Sequence, residues 1–262
     1  MLRPIITLTT DFGDTGSYVA QMKAAILSVN RDVMVVDVSH TIGPQDIRQA
    51  AIVLDEVFDF LPPDSINVAV VDPGVGSARA IIYARFAAQH FIAPDNGLLS
   101  LVALRYRPAE IIRLTNCQFW RDEVSTTFHG RDIMAPVAGH LSLGVSPAEL
   151  GAPLSQLTML DWPHVRHDNR SVVGQIITID SFGNLITNIV RSDLAAILPD
   201  HRPSMHIGGH RIDGVIATYS DAQIGSLVAS FGSSDRLEVA VVNGSAARHT
   251  NSRVGDEVRV AW

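Results

Sequence analysis

Along the first half of the chain, apolar runs of strand length alternate with stretches of helical period. Ile5-Ile6-Thr7-Leu8-Thr9-Thr10 is rich in β-branched residues and stops at the polar turn Asp11-Phe12-Gly13-Asp14. Tyr18, Met22, Ala25, Ile26 and Val29 then recur on one face of a helix. Residues 33–38 are a second apolar run, and Pro44 and Asp46 open a second helix with Ala51, Leu54, Phe58 and Leu61 on its inner face. Residues 66–71 form a third strand ending at Asp72-Pro73-Gly74, residues 80–85 read as another, and 131–143 as the last well-formed helix of this half. Strands separated by helices imply an α/β domain with a central, mainly parallel sheet covered on both faces.

Near Pro163 the pattern changes. Residues 164–170 are polar and read as a linker. Beyond them come short β-rich pieces at 172–180, 226–231, 237–242 and 257–260, separated by Gly, Ser and Asn, with helical period only around 193–198. The expected organisation is an α/β domain over residues 1–163 and a smaller all-β domain over 171–262.

Composition narrows the chemistry. The chain has 262 residues, 47% of them hydrophobic, and a net charge of −7, the wrong sign for a non-specific nucleic-acid or anionic-membrane binder. Lys23 is the only lysine and follows Met22, which excludes a phosphate-binding loop of the G-x-x-x-x-G-K-[ST] type. Cys117 is the only cysteine, so disulfides and cysteine-rich metal sites are excluded. No apolar stretch approaches the roughly 18 residues of a membrane span. The apolar N-terminal run meets Asp11 too soon for a signal peptide, so a soluble, cytoplasmic protein is expected.

In an open parallel sheet, ligands bind beyond the carboxyl ends of the strands. Polar clusters stand at three such ends: Thr10-Asp11, Ser39-His40, and Asp72-Pro73-Gly74-Val75-Gly76. Aspartate at a strand end is also a common turn former. Arg79 occupies the third glycine position of a dinucleotide fingerprint, so Gly74-Val75-Gly76 reads as a tight hairpin instead. Residues 125–132 are the densest polar cluster, leading into a helix that Thr126 or Thr127 is placed either to cap or to precede at its cap. The pairing of His129 with Arg131 there exceeds what a cap needs. His164 with His167, and His206 with His210, lack a recognised metal pattern and read as solvated. H-E-x-x-H and G-x-S-x-G are absent. In the second domain, Gly183-Asn184 suits a hairpin turn. Phe182 beside Asn184 also suits a purine, the ring stacking and the amide reading its edge.

Six segments together resemble the S-adenosyl-L-methionine (SAM) hydroxide adenosyltransferases, adenosine-forming SAM hydrolases related to the SAM-dependent fluorinase and chlorinase. They are LTTDFG at 8–13, VDPGVG at 71–76 with Arg79, PDNGL at 94–98, TFHGRD at 127–132, IDSFGN at 179–184 with Thr187-Asn188, and NGSA at 243–246. They follow the family order across nearly the whole chain. The resemblance implies an N-terminal α/β domain, a C-terminal β-barrel and a homotrimer that binds SAM between the N-terminal domain of one subunit and the C-terminal domain of its neighbour. It implies no metal and no organic cofactor. By the same resemblance Asp72, Arg79 and His129 activate water, Asp11 clamps the ribose diol, and Asn184 reads adenine with Phe182 alongside. Asp180, Ser233 and Glu238 then fall on the methionine portion, and the backbone near Val241 on the base.

The chain departs from the halogenases in specific places. Asp72 stands where they carry an aromatic residue, Val75 lies in their halide pocket, Gln45 replaces their tryptophan, and the interval from Asp11 to Ser17 is one residue shorter. A carboxylate at 72 repels halide and favours hydroxide transfer. The alternatives are a SAM-dependent halogenase, a metal-dependent nucleoside hydrolase suggested by the acidic turn at 11–14, and a non-catalytic SAM or adenosine sensor.

Overall fold

The β-branched run at the start of the chain forms strand β1 (Ile5–Thr10), buried on both faces from Ile6 to Thr10. The computed structural model describes residues 3–195, 197 and 202–262. The chain divides into two units, Met1–Leu160 and Asp161–Trp262.

In the first unit β1 is followed by α1 (Tyr18–Val29), β2 (Met34–Ser39), α2 (Ile47–Phe58) and β3 (Ile66–Val70). Asp46 caps α2, its carboxylate accepting the Gln49 N–H at 2.9 Å. Then come β4 (Ile81–Phe86), β5 (Gln89–Pro94), α3 (Ser100–Arg105) and β6 (Pro108–Leu114). A wide turn of π type at Gly130–Met134 leads into α4 (Ala135–Ser142), and β7 (Gly151–Pro153) ends the sheet.

The strand order is β2-β1-β3-β5-β4-β6-β7. The pairs β2–β1, β1–β3 and β3–β5 are parallel, whereas β5–β4, β4–β6 and β6–β7 are antiparallel. The sheet is therefore mixed, and the expectation of a mainly parallel one holds only for its first four strands. The cause is local: Phe86 pairs with Gln89 across Ala87-Ala88, and so short a connection can only return antiparallel. The same pairing places β5 between β3 and β4, so Gly74-Val75-Gly76 is an open loop and not the expected hairpin.

Both faces of the sheet are covered. Val68 and Val70 of β3 pack with Met22, Ile26 and Met134 on one side, while Ala69 and Val71 pack with Leu54, Phe58 and Val102 on the other.

The strands of the second unit are β8 (Arg166–Asp168), β9 (Ser171–Ile179), β10 (Leu185–Val190), β11 (Ser204–Ile207), β12 (His210–Asp213), β13 (Leu227–Phe231), β14 (Arg236–Val241) and β15 (Glu257–Ala261). They form an antiparallel sheet in the order β12-β11-β15-β9-β10-β14-β13, with β8 beside β9. The sheet curls until its edges meet: beyond β12 the Ile216 N–H donates to the Ala229 carbonyl of β13 at 2.9 Å. The result is a nearly closed barrel around Val172, Ile176, Leu185, Ile189, Val239 and Val258. Residues 164–170, expected to be a linker, contain β8, which pairs with β9 because backbone hydrogen bonding does not depend on the polar side chains outside it. Two short helices complete the unit, α5 (Arg191–Leu194) and α6 (Ala246–Thr250), and the rest of the expected helical stretch at 193–198 lies partly outside the described residues. No helix among the described residues is long and apolar enough to cross a membrane.

Candidate active site

The parallel strands of the first unit set their carboxyl ends level, with Thr10 opposite Val70 and Thr9 opposite Ser39. Asp11, His40 and Asp72 therefore emerge at one edge of the sheet. Asp72 begins the loop from β3 to β4 and Arg79 nearly ends it. Arg79 Nε lies 2.9 Å from both carboxylate oxygens of Asp72, and its Nη2 also bonds Oδ2. The two side chains are only 10% and 5% exposed.

His129 comes to this pair from 50 residues away. Its Nδ1 is 3.0 Å from Arg79 Nη2. A guanidinium carries donors only, so Nδ1 must present its lone pair and the ring proton resides on Nε2. Burial, and then the cationic Arg79, hold the His129 pKa below that of an ordinary histidine, against the opposing pull of Asp72 and Asp132. The trio therefore combines a fixed cation with a neutral imidazole at neutral pH.

Glycine at 76 permits this meeting of two loops. Gly76 has φ +79°, and a Cβ there would lie 2.6 Å from the Thr126 carbonyl, so a larger residue would push the loops apart. The segment carrying His129 is held from the other side by Asp132, which is fully buried. Asp132 accepts from Arg131 Nε at 2.6 Å and from the Ser125 N–H at 2.9 Å. Arg131 also donates to Gln21 at 2.8 Å and stands over the Phe128 ring. Of the two expected roles for Thr126 and Thr127, the structure shows the second: both precede the cap, since His129 holds the cap position of the wide turn, with no side-chain cap bond. The turn is held by Asp132 and Arg131 instead. Asp11 sits on a separate turn, where its carboxylate accepts the Gln45 N–H at 2.7 Å.

The second unit holds a cavity of about 480 Å³ lined by Phe182, Asn184, Tyr219, Val241, Asn243 and Arg248, among others. It opens beside the β9–β10 turn, where Asp180 accepts the N–H groups of Phe182 and Asn184 at 2.9 and 2.8 Å. Asp180 also accepts from the Asn184 side-chain amide at 2.9 Å, so it orients the residue that lines the cavity. Phe182 is 76% exposed at the mouth of the cavity, where its ring face is open to a ligand. Glu238 lies one bond behind, accepting from the Tyr219 hydroxyl and from Ser230 Oγ at 3.2 Å. Burial and then the bond to Glu238 push the Tyr219 phenol up to about 12.

Of the residues singled out in the sequence, Asp72, Arg79 and His129 are in contact in the first unit, and Phe182, Asn184 and Val241 share the cavity of the second. Asp180 and Glu238 support that cavity. Ser233 stands on the turn between β13 and β14, apart from its lining. Sequence reasoning missed Tyr219 and Arg248. Tyr219 begins a short turn of no periodic pattern, so only its aromatic character distinguished it. Among the described residues no group of three or more His, Cys, Asp or Glu side chains is arranged to hold a metal ion.

Residues 6–151 match the N-terminal domain, and 174–259 the C-terminal domain, of the SAM hydroxide adenosyltransferase family. A relative from Thermus thermophilus, named (R)-S-adenosyl-L-methionine hydrolase, is 35% identical over 99% of this chain and 100% of its own. A protein from Nocardia brasiliensis named fluorinase is 28% identical over 98% of this chain and 97% of its own. The crystal structure of a conserved protein from Thermotoga maritima superposes with a TM-score of 0.92 at 33% identity, covering 98% of this chain and 100% of that one.

Proposed function

The chain belongs to the SAM hydroxide adenosyltransferase family, and we propose that it hydrolyses S-adenosyl-L-methionine to adenosine and L-methionine by activating water with Asp72, Arg79 and His129. Water oxygen forms a bond to ribose C5′ as the C5′–S bond breaks. Methionine leaves with the bonding electrons as a neutral thioether, and one proton is released. The leaving group needs no acid, so the difficulty lies in the nucleophile, since bulk water has a pKa near 15.7. Arg79 stabilises developing hydroxide by its charge. His129 takes the proton at Nδ1 in exchange for the hydrogen bond from Arg79. Asp72 keeps the guanidinium in place. The observation that carries the reading is the bridging of Asp72 and a neutral His129 by one arginine.

Substrate recognition is assigned by the same reading. Asp11 takes the ribose diol, Phe182 the face of adenine and Asn184 its edge, with the backbone at Val241 beside the base. Ser233 and Glu238 serve the methionine portion. Asp180 serves the methionine portion with them, and the bonds by which it organises the turn also orient Asn184. The enzyme acts as a cytoplasmic homotrimer in which one subunit's water-activating trio meets a neighbour's nucleobase cavity. It needs no metal or organic cofactor.

The fluorinase relative supports a second reading, halide in place of water. Asp72, buried beside the attack position, opposes the entry of a halide, which arrives fully charged, but not of water, which enters neutral and gains charge only as His129 takes its proton. Incubation with SAM and an excess of fluoride or chloride separates them. Adenosine with methionine, at a rate unchanged by halide, is the expected result. A 5′-halo-adenosine, or intact SAM, would overturn it.

A further inference from the structure

The PDNGL segment at 94–98 has no place in the chemistry above, yet it touches the catalytic loop at both ends. The Asn96 side-chain amide donates to the Val71 carbonyl at 2.9 Å, and the Asp95 N–H donates to the Ala80 carbonyl at 2.9 Å. Val71 directly precedes Asp72, and Ala80 directly follows Arg79. We infer that this turn is a clamp whose Asn96 is a positioning residue, fixing the spacing of Asp72 and Arg79 for water activation; the inference rests on the function proposed above.

The clamp is tied down on its far side. The Asp95 carboxylate accepts from the Thr158 N–H and hydroxyl at 2.8 and 3.1 Å, and Ser100 Oγ accepts the Leu160 N–H at 2.8 Å. Gly97, at φ +97°, lies against Leu160 so closely that a Cβ would come within 2.6 Å of it. Leu98 and Leu99 anchor the turn in the core that also holds Val71. Val71 lies just beyond the end of β3 and is fully buried, so its carbonyl needs a donor from outside the ladder.

Asparagine suits this position for a definite reason. Its Oδ1 accepts the Leu98 N–H at 3.2 Å while its amide nitrogen donates to Val71. Aspartate has the same shape and keeps the first bond, but it turns an acceptor towards the Val71 carbonyl. Asn96→Asp therefore removes the grip on the catalytic loop with little change in volume, whereas Ser100→Ala loosens the far side of the same turn.

The test compares both variants with wild type for kcat, KM and melting temperature. Asn96→Asp is expected to lower kcat by about 10- to 100-fold, the scale for a misplacement of about 1 Å, with KM within about twofold. Ser100→Ala should lower the melting temperature and keep kcat within about twofold. Should Asn96→Asp fail to fold, Asn96→Ala gives the same comparison. Unchanged kcat in the Asn96 variants, or equal losses in both positions, would overturn the clamp. A second readout needs no turnover: the coupling between Asp72 and Arg79 in unfolding should weaken in the Asn96→Asp background, and an unchanged coupling counts against the clamp. A wild type inert towards SAM would refute the proposed function and leave this coupling still measurable.

Discussion

The Asp72–Arg79 pair should behave as one unit in unfolding, and a double-mutant cycle measures this. The carboxylate is 5% exposed and the guanidinium 10%, and they are joined by three contacts. Removing one partner of such a pair leaves an uncompensated buried charge, which costs about 3–5 kcal/mol. Asp72→Asn keeps one acceptor for Arg79, and neither side chain is wholly cut off from solvent, so each single variant, Asp72→Asn or Arg79→Met, falls near the lower figure, about 3 kcal/mol. The double variant removes both charges, and apolar or neutral replacement of a buried pair is often close to neutral. Its cost should not exceed that of either single variant, giving a coupling of about 3 kcal/mol or more. For a unit of this size each single variant should melt roughly 6–12 °C lower, from about 2–4 °C per kcal/mol. Calorimetry on the four proteins suffices. Additivity within about 0.5 kcal/mol would show that the charges act independently, and the role of Asp72 in holding Arg79 would fall.

Three further outcomes are expected. Protonated His129 cannot accept the water proton, so kcat should rise with pH through a midpoint below about 6.5, the ordinary histidine value. Arg79→Gln, besides slowing the reaction, should move that midpoint upward, since a depressing charge is gone while Asp72 and Asp132 remain; an unmoved midpoint would detach His129 from Arg79. Phe182→Ala should raise KM by about 5- to 150-fold, equivalent to about 1–3 kcal/mol of base stacking, and leave kcat and melting temperature almost unchanged. A fall in kcat at constant KM would remove Phe182 from the binding cavity. Folding stability should decline as pH falls below about 6.5, because burial holds His90, His129 and His140 below the values they take when unfolded. The unfolded chain then binds protons the folded one refuses, and a flat unfolding free energy between pH 7.5 and 5.5 would contradict this.

Much of the fold was legible where burial imposes a period. Tyr18 to Val29 and the helix begun by Asp46 have apolar residues on one face and a polar start, and both are helices in the structure. Strand order was not legible, since the position of β5 between β3 and β4 depends on the short return at Ala87-Ala88, and only pairing makes that connection a constraint. β10 lay hidden in Leu185–Val190, whose residues are buried in a mixture of Thr, Asn and Ile with no alternation. The candidate site divides in the same way. Asp72 and Arg79 belong to one loop and attract notice together, and Phe182 and Asn184 share one turn. The approach of His129 to Arg79 spans 50 residues and depends on Gly76 fitting against Thr126, a contact no local pattern records. Asn96 was visible as part of a motif, but its purpose is a bond to a backbone carbonyl and becomes apparent only in three dimensions.

The central claim is attack of water at ribose C5′, and isotope transfer tests it most directly. The protein is incubated with SAM in ¹⁸O-labelled water, with chloride and a metal chelator present, and the products are resolved by mass spectrometry. Water activation by Asp72, Arg79 and His129 predicts methionine and adenosine carrying ¹⁸O at the 5′ position. Intact SAM, chlorinated nucleoside or adenosine without the label would contradict it.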